Sequence, residues 1–402
     1  MSDANINTIL IISAHYYPVK GGTPTHTHYL CKALSELGKN VHLITAGGDA
    51  PVTDDVADHD AHLNYTLHRI PTRGKYKDDF FFLWSIRKEL PKYLALLHPD
   101  IINISTGNFV PLALRFTDVG DIPIVYTVHN VPPEEHPFDH SFGSEVLTSV
   151  IRKIYFFGIG QFARLTVKHG KYSRLISVSE NTKKKLISIG ADPNRISVVG
   201  NGISIPSSLG IKRHSGVDRL NILTVAGVIE HKGQLDMVYA MKNILRSVPF
   251  AMYYIVGPVR SMVYRDQIIS AAKKLGIEHS IVLTGEVSTE ELERCYDCCD
   301  IYVQPSYQEG FCISILDAMI RGKPVIGTDV GEIATFVEND RGILLPRPDA
   351  EALSLAVLRY MQDPQFCNEA ATAGQVFVEN NYSWKKIGVD TLHVYSMVKN
   401  NH

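Results

Sequence analysis

Nowhere in the 402 residues does an apolar run reach the roughly 18 positions that a membrane-crossing helix needs. The first apolar run, Ile9–Ile12, is too short for the core of a secretion signal, and no basic residue precedes it. Cysteine is scarce: six in a chain of this length, without such a signal, indicate reduced thiols rather than a disulfide framework. The expected setting is therefore cytoplasmic. An excess of charge of one sign is also missing. Forty basic and 42 acidic side chains leave a net −2, no field that would gather nucleic acid or an acidic substrate. Short-period repeats and low-complexity tracts are absent, and 45% apolar with 20% charged residues is the composition of a packed globular protein. Such a chain is too long for one ordinary core and implies two domains.

What is present is alternation. Short β-branched runs at Thr8–Ser13, Val41–Thr45, Ile101–Ile104, Ile124–Val128, Leu175–Val178 and Ile196–Val199 read as strands, with helical spacing between them at Thr27–Leu37 and Leu83–Leu97. The stretch Gly202–Arg219, rich in Ser with Gly210 and Gly216, breaks the pattern as a linker. Alternation then resumes with Ile222–Val225, Met252–Val256, Ile281–Thr284, Ile301–Gln304 and Pro324–Thr328. Buried strands alternating with helices predict an α/β fold of two Rossmann-like domains, their parallel sheets facing across a cleft. The predicted domains are 1–203 and 204–381, with a last helix at about 382–402. Ligands in such folds sit outside the carboxyl ends of the strands.

Four groups of residues fall at those ends. Gly21-Gly22 lies between a strand and a helix, where the backbone can approach an anion and unpaired N–H groups await it; an ordinary strand–helix turn has the same form. His129-Asn130 follows Ile124–Val128 and reads as a core histidine or as a ligand of a polar substrate. Lys232-Gly233 follows Ile222–Val225; a lysine there neutralises a diphosphate or is merely solvated. Glu309-Gly310-Phe311-Cys312 follows Ile301–Gln304, with Asp317 eight residues beyond Glu309 on a helix, so one carboxylate could meet sugar hydroxyls and the other a ribose. Asp58-His59-Asp60 looks like a metal-binding DxD but has no strand before it, and Cys295, Cys298 and Cys299 lack a fourth ligand at metal spacing.

Taken in order, Gly21-Gly22 with His26, Thr127-Val128-His129, Ser177–Glu180, Asn201-Gly202-Ile203, Lys232-Gly233, and Pro305–Phe311 followed by Pro324–Gly331 resemble the family-4 retaining glycosyltransferases of the GT-B fold (glycosyl transferases group 1). The resemblance runs over nearly the whole chain and implies that the helix at about 382–402 crosses back onto the first domain. It implies transfer of a hexose from a UDP- or GDP-type sugar to a glycan or lipid-linked acceptor, as in surface polysaccharide biosynthesis, with retention of configuration and no metal or other cofactor. His129, Lys232 and Glu309 would then be catalytic, beside the transferred sugar or the leaving diphosphate. Gly21, Gly22, Gly310, Phe311, Cys312 and Asp317 would complete donor binding, Asp317 on the ribose, and His26 and Asn130 would face the acceptor. Members acting on lipid-linked acceptors meet the inner membrane face through a basic surface; the basic, aromatic segment 152–174 either does this or is a solvated helix face.

Three departures stand out. The family's arginine five residues before the lysine is Gly227 here, with Arg260 and Lys20 as replacement candidates. Asp317 replaces a glutamate and is shorter by one methylene, roughly 1.5 Å of reach. Ser204 stands where an aspartate is usual. The first two support an alternative, a non-catalytic sugar-nucleotide- or glycan-binding partner derived from a transferase. A dinucleotide oxidoreductase does not fit, because Gly158-Ile159-Gly160 lacks the third glycine and follows no strand.

Overall fold

The computed structural model describes residues 6–19, 21–47, 53–72, 79–106, 110–131, 160–205 and 219–400. The described chain divides into two compact units. One runs to Gly202 and resumes at Trp384, and the other holds Ile203–Ser383.

The first unit carries seven parallel strands: β1 (Thr8–Ser13), β2 (Asn40–Ala46), β3 (Thr66–Ile70), β4 (Ile101–Thr106), β5 (Ile124–Val128), β6 (Arg174–Ser177) and β7 (Ile196–Val198). Their order is β3-β2-β1-β4-β5-β6-β7. Because strand side chains alternate, β1 feeds two cores. Leu10 and Ile12 meet Phe82, Ile86 and Leu90 of the helix Asp79–Leu97. Ile9 and Ile11 join the cluster of Leu30 and Leu34, from the helix Gly22–Glu36, with Tyr395 and Val398 from the helix Trp384–Lys399. Both faces of the central strands are thus covered, which is why they read as unbroken apolar runs. The terminal helix is anchored polarly too: Asn103 Nδ2 donates to Tyr395 Oη (2.6 Å), and Lys399 pairs with Asp100 (2.6 Å).

The second unit repeats the arrangement with β8 (Arg219–Val225), β9 (Phe250–Val256), β10 (Ile281–Gly285), β11 (Ile301–Gln304), β12 (Val325–Thr328) and β13 (Ile343–Leu345). In the order β10-β9-β8-β11-β12-β13 the chain again runs outward from its first strand and then crosses back to that strand's other side. The switch lies between β1 and β4 in one unit and between β8 and β11 in the other, so the loops leaving β8 and β11 diverge and leave room for a ligand.

The structure adds two strands to those expected. β3 is a half-exposed edge strand of sequence Thr-Leu-His-Arg-Ile, and β13 is only three residues long. The first helix begins at Gly22, five residues before the expected Thr27. No described helix is long and apolar enough to cross a membrane.

Candidate active site

In the second unit, Lys232 and Glu309 come together. Lys232 ends a short 3-10 turn, Glu230–Lys232, after β8. Gly233 follows at φ +67°, and a Cβ there would lie 1.7 Å from the Pro305 carbonyl oxygen, so only glycine lets this turn press on the loop after β11. The His231 carbonyl accepts from the amides of Tyr307 (2.8 Å) and Gln308 (3.4 Å), lacing the two loops. The outcome is an ion pair, Lys232 Nζ to Glu309 Oε2 at 2.7 Å.

The other carboxylate oxygen of Glu309 is held as firmly. Oε1 accepts from Ser306 Oγ (2.8 Å) and Gln304 Nε2 (3.0 Å), while Tyr302 Oη donates to Gln304 Oε1 (2.7 Å). The side chain of Glu309 is 6% exposed, and three donors face its carboxylate: Lys232, Ser306 and Gln304. Behind it, Gly331 at φ +59° touches the carbonyls of Glu309 and Gly310, where a Cβ would clash at 2.6 and 2.7 Å. The Gly310 carbonyl accepts from the Glu332 amide (3.2 Å), and Thr328 Oγ1 donates to the Ser306 carbonyl (2.6 Å). The whole stretch from Pro305 to Gly331 is a laced cradle with the acid at its rim.

The rest of the motif follows. Phe311 turns its ring onto Phe336 (centroids 5.3 Å) and Tyr382 (5.8 Å), so it packs inward. Cys312 adopts φ +58° and starts the helix Ile313–Ile320, a strained conformation at the point where helix N–H groups open. Asp317 sits in the second turn of that helix, its side chain 31% exposed, with Arg321 Nη1 3.5 Å from Oδ1. Crowding by protein atoms raises its pKa to about 6, against the pull of Arg321.

The first unit holds a second group. The helix Gly22–Glu36 begins without a side-chain cap and without an acidic residue in its first turn. Pro24 has no N–H, so the donors left for an anion are the amides of Gly22 and Thr23. On the next turn, His26 is buried beside Asn201, edge-on to His129 (4.5 Å) and to Trp384 (5.4 Å). His129 follows β5, and its Nε2 is buried without a partner among the described residues. Burial drives both rings to the neutral form: His26 falls well below the ordinary histidine value, and His129 to about 4, although the Ser105 backbone bonds it. Asn130, by contrast, is exposed. Trp384 stacks on Tyr29 (5.4 Å), and a Cβ on Gly202 would penetrate its ring at 2.3 Å. That contact explains why Asn201-Gly202 and Trp384 belong together.

The chemistry on offer is clear. The second unit presents a cation and a fixed carboxylate at a topological switch point, the arrangement for a polyhydroxylated, phosphorylated ligand. The first unit presents neutral imidazoles and an open helix N-terminus.

Comparison with known proteins agrees with this. The pattern of the glycosyl transferases group 1 matches residues 211–377, and that of glycosyltransferase family 4 matches residues 20–205. The chain belongs to the family-4 glycosyltransferases of the GT-B fold. An uncharacterized glycosyltransferase of Methanocaldococcus jannaschii is 25% identical over 97% of this chain and 98% of its own length. Among solved structures, sucrose-phosphate synthase of Thermosynechococcus elongatus superposes with a TM-score of 0.73 at 20% identity, covering 98% of this chain and 100% of its own. Anabaena HepE in complex with UDP-glucose superposes with a TM-score of 0.68 at 17% identity, over 97% of this chain and 99% of its own.

Gln304, Ser306 and Tyr302 orient Glu309, and Asn201 with Trp384 walls the histidine pair. None of these was singled out as a site residue from sequence, although Asn201-Gly202 was visible as a short motif. Asp58-His59-Asp60 lies in the helix Asp54–Ala61, with Asp60 bonded to Arg69 Nε at 2.7 Å. Of the three cysteines, Cys298 is exposed, Cys295 half-buried and Cys299 buried. Among the described residues no group of three or more His, Cys, Asp or Glu side chains is arranged to hold a metal. Lys20 and residues 152–159 of the basic segment lie outside the described residues.

Proposed function

We propose that this glycosyltransferase moves a hexose from a UDP- or GDP-type sugar to a glycan or lipid-linked acceptor, with retention of configuration and without a metal. The Lys232–Glu309 pair carries the reading. In donor cleavage the sugar–phosphate bond breaks while negative charge grows on the diphosphate and positive character on the sugar. A lysine at that oxygen stabilises the transition state more than the ground state, which is what accelerates a reaction. Glu309, held by Gln304 and Ser306, would accept from sugar hydroxyls, and Asp317 from the ribose. His129 and His26, kept neutral by burial, can donate or accept at a sugar hydroxyl without adding charge. At the turn that Gly21 makes, Gly22 and Thr23 offer backbone N–H groups to phosphate, and Asn130 a side-chain amide to the acceptor. HepE, in complex with UDP-glucose, supports a nucleotide-sugar donor by analogy of fold.

The deciding experiment is a transfer assay with α-linked UDP- and GDP-sugars in EDTA, the anomeric configuration of the product being read by NMR. An α-linked product formed in EDTA is expected. A β-linked product, or turnover only with added divalent metal, would overturn the mechanism.

A further inference from the structure

Lys232 presents a difficulty that the geometry itself resolves. Its charge is matched by Glu309 at 2.7 Å, so the pair is close to neutral toward an incoming ligand. A nucleoside diphosphate brings at least two negative charges, and the site needs a second cation.

Gly227, just beyond β8, is where a side chain would naturally supply it, and there is none. That space is not empty, however. A Cβ built on Gly227 would lie 3.1 Å from Cγ of Arg260 and 4.0 Å from its Nε, so the arginine's stem lies across the bare backbone. The loops that carry the two residues are zipped together. Val228 donates to the Pro258 carbonyl (2.9 Å), the Val228 carbonyl accepts from the amides of Arg260 (3.1 Å) and Ser261 (3.0 Å), and Ser261 Oγ donates to Glu230 Oε1 (2.7 Å). Gln234 Nε2 fixes the Gly227 carbonyl from the far side (2.9 Å). Arg260 is exposed, and among the described residues its guanidinium has no hydrogen-bond or ion-pair partner. An arginine fork without a carboxylate, at the carboxyl end of β9 beside the β8 switch point, is suited to bidentate phosphate contact.

We propose that Arg260 is the second diphosphate-binding cation of the donor site, delivered from the loop after β9 into the space left by Gly227. This inference rests on the nucleotide-sugar reading above. It makes the glycine and the arginine one unit: an arginine at 227 would collide with Arg260, and shortening residue 260 would make room for it.

The test is calorimetric binding of UDP, GDP, UMP and GMP to the wild-type chain, Arg260→Ala, Arg260→Lys and the double variant Gly227→Arg/Arg260→Ala, with melting temperatures as the check on folding. Arg260→Ala should weaken the diphosphate that binds by about tenfold or more and its monophosphate by less than about threefold. Arg260→Lys should fall between, and the double variant should return to within about threefold of wild type. Unchanged diphosphate affinity in Arg260→Ala, or equal losses for mono- and diphosphate, would overturn the role of Arg260 while leaving the donor-site reading standing. Failure of the wild-type chain to bind either diphosphate would overturn both.

Discussion

Replacing Lys232 by alanine separates what the Lys232–Glu309 pair does for the fold from what it does for the reaction. At 2.7 Å and an effective dielectric constant of 20, the gross attraction is about 6 kcal/mol. Much of that is offset by desolvation of Glu309, which is 6% exposed, while the 21% exposure of Lys232 admits solvent screening. Glu309 would retain Ser306 and Gln304 as donors, so the expected loss of stability is about 1–2 kcal/mol rather than the 3–5 of a fully buried pair. For a unit of this size that is roughly 2–8 °C in Tm. Turnover should suffer more: loss of one charge aimed at a developing anion costs about 10²–10³ in kcat. The double variant Lys232→Ala/Glu309→Gln removes the stranded charge, so its Tm should recover while its kcat stays low. Differential scanning fluorimetry and a nucleotide-release assay read the two quantities separately. If Lys232→Ala turns over within threefold of wild type, Lys232 does not face the leaving group and the site assignment is wrong.

Gly233→Ala must push the Lys232 turn away from Pro305, because the added Cβ would lie 1.7 Å from its carbonyl oxygen. The expected cost is about 3 kcal/mol or more, seen as a lower urea midpoint. Gly310→Ala, where a Cβ meets nothing within 4 Å, serves as the control with little change. Asp317 predicts a pH effect on donor affinity. Its carboxyl titrates at about 6 in the free protein, so the ionised form that accepts ribose hydroxyls is complete above that value and lost below it. Diphosphate affinity should therefore fall as pH drops through 6, and Asp317→Asn should bind more weakly with that step removed. Comparing the two proteins with one ligand cancels the ligand's own titration. The same raised pKa means ionisation disfavours the folded state as pH rises through 6, so Asp317→Asn should melt higher than wild type at pH 8.

Much of the fold was legible because buried parallel strands are continuous apolar runs. β5 and β11 were readable to the residue from Ile-Val-Tyr-Thr-Val and Ile-Tyr-Val-Gln. β3 was not, since an edge strand with one face in solvent carries Thr66, His68 and Arg69 and resembles a loop. The helix start at Gly22 was hidden for a different reason: Gly, Thr and Pro are poor helix formers, and this helix is held by Leu30, Leu34 and the terminal helix rather than by its own first turn. At the candidate site, the residue types and their order were visible, but their partners were not. Lys232 and Glu309 are 77 residues apart, and only the adjacency of β8 and β11 joins them. His26 and His129 meet in the same way, through sheet order rather than spacing. The inward turn of Phe311 and the stem of Arg260 over Gly227 depend on packing that no local pattern encodes.

The central claim is that the second unit holds a nucleoside diphosphate-sugar at the ends of β8 and β11. It is tested most directly by titrating the purified chain with UDP, GDP and their glucose and mannose conjugates in EDTA, following heat and released nucleotide together. Saturable binding of one base, tighter for the diphosphate than for the monophosphate and accompanied by nucleotide release from its sugar conjugate, is the predicted result. Absence of binding to every nucleotide, at concentrations well above millimolar, would contradict it.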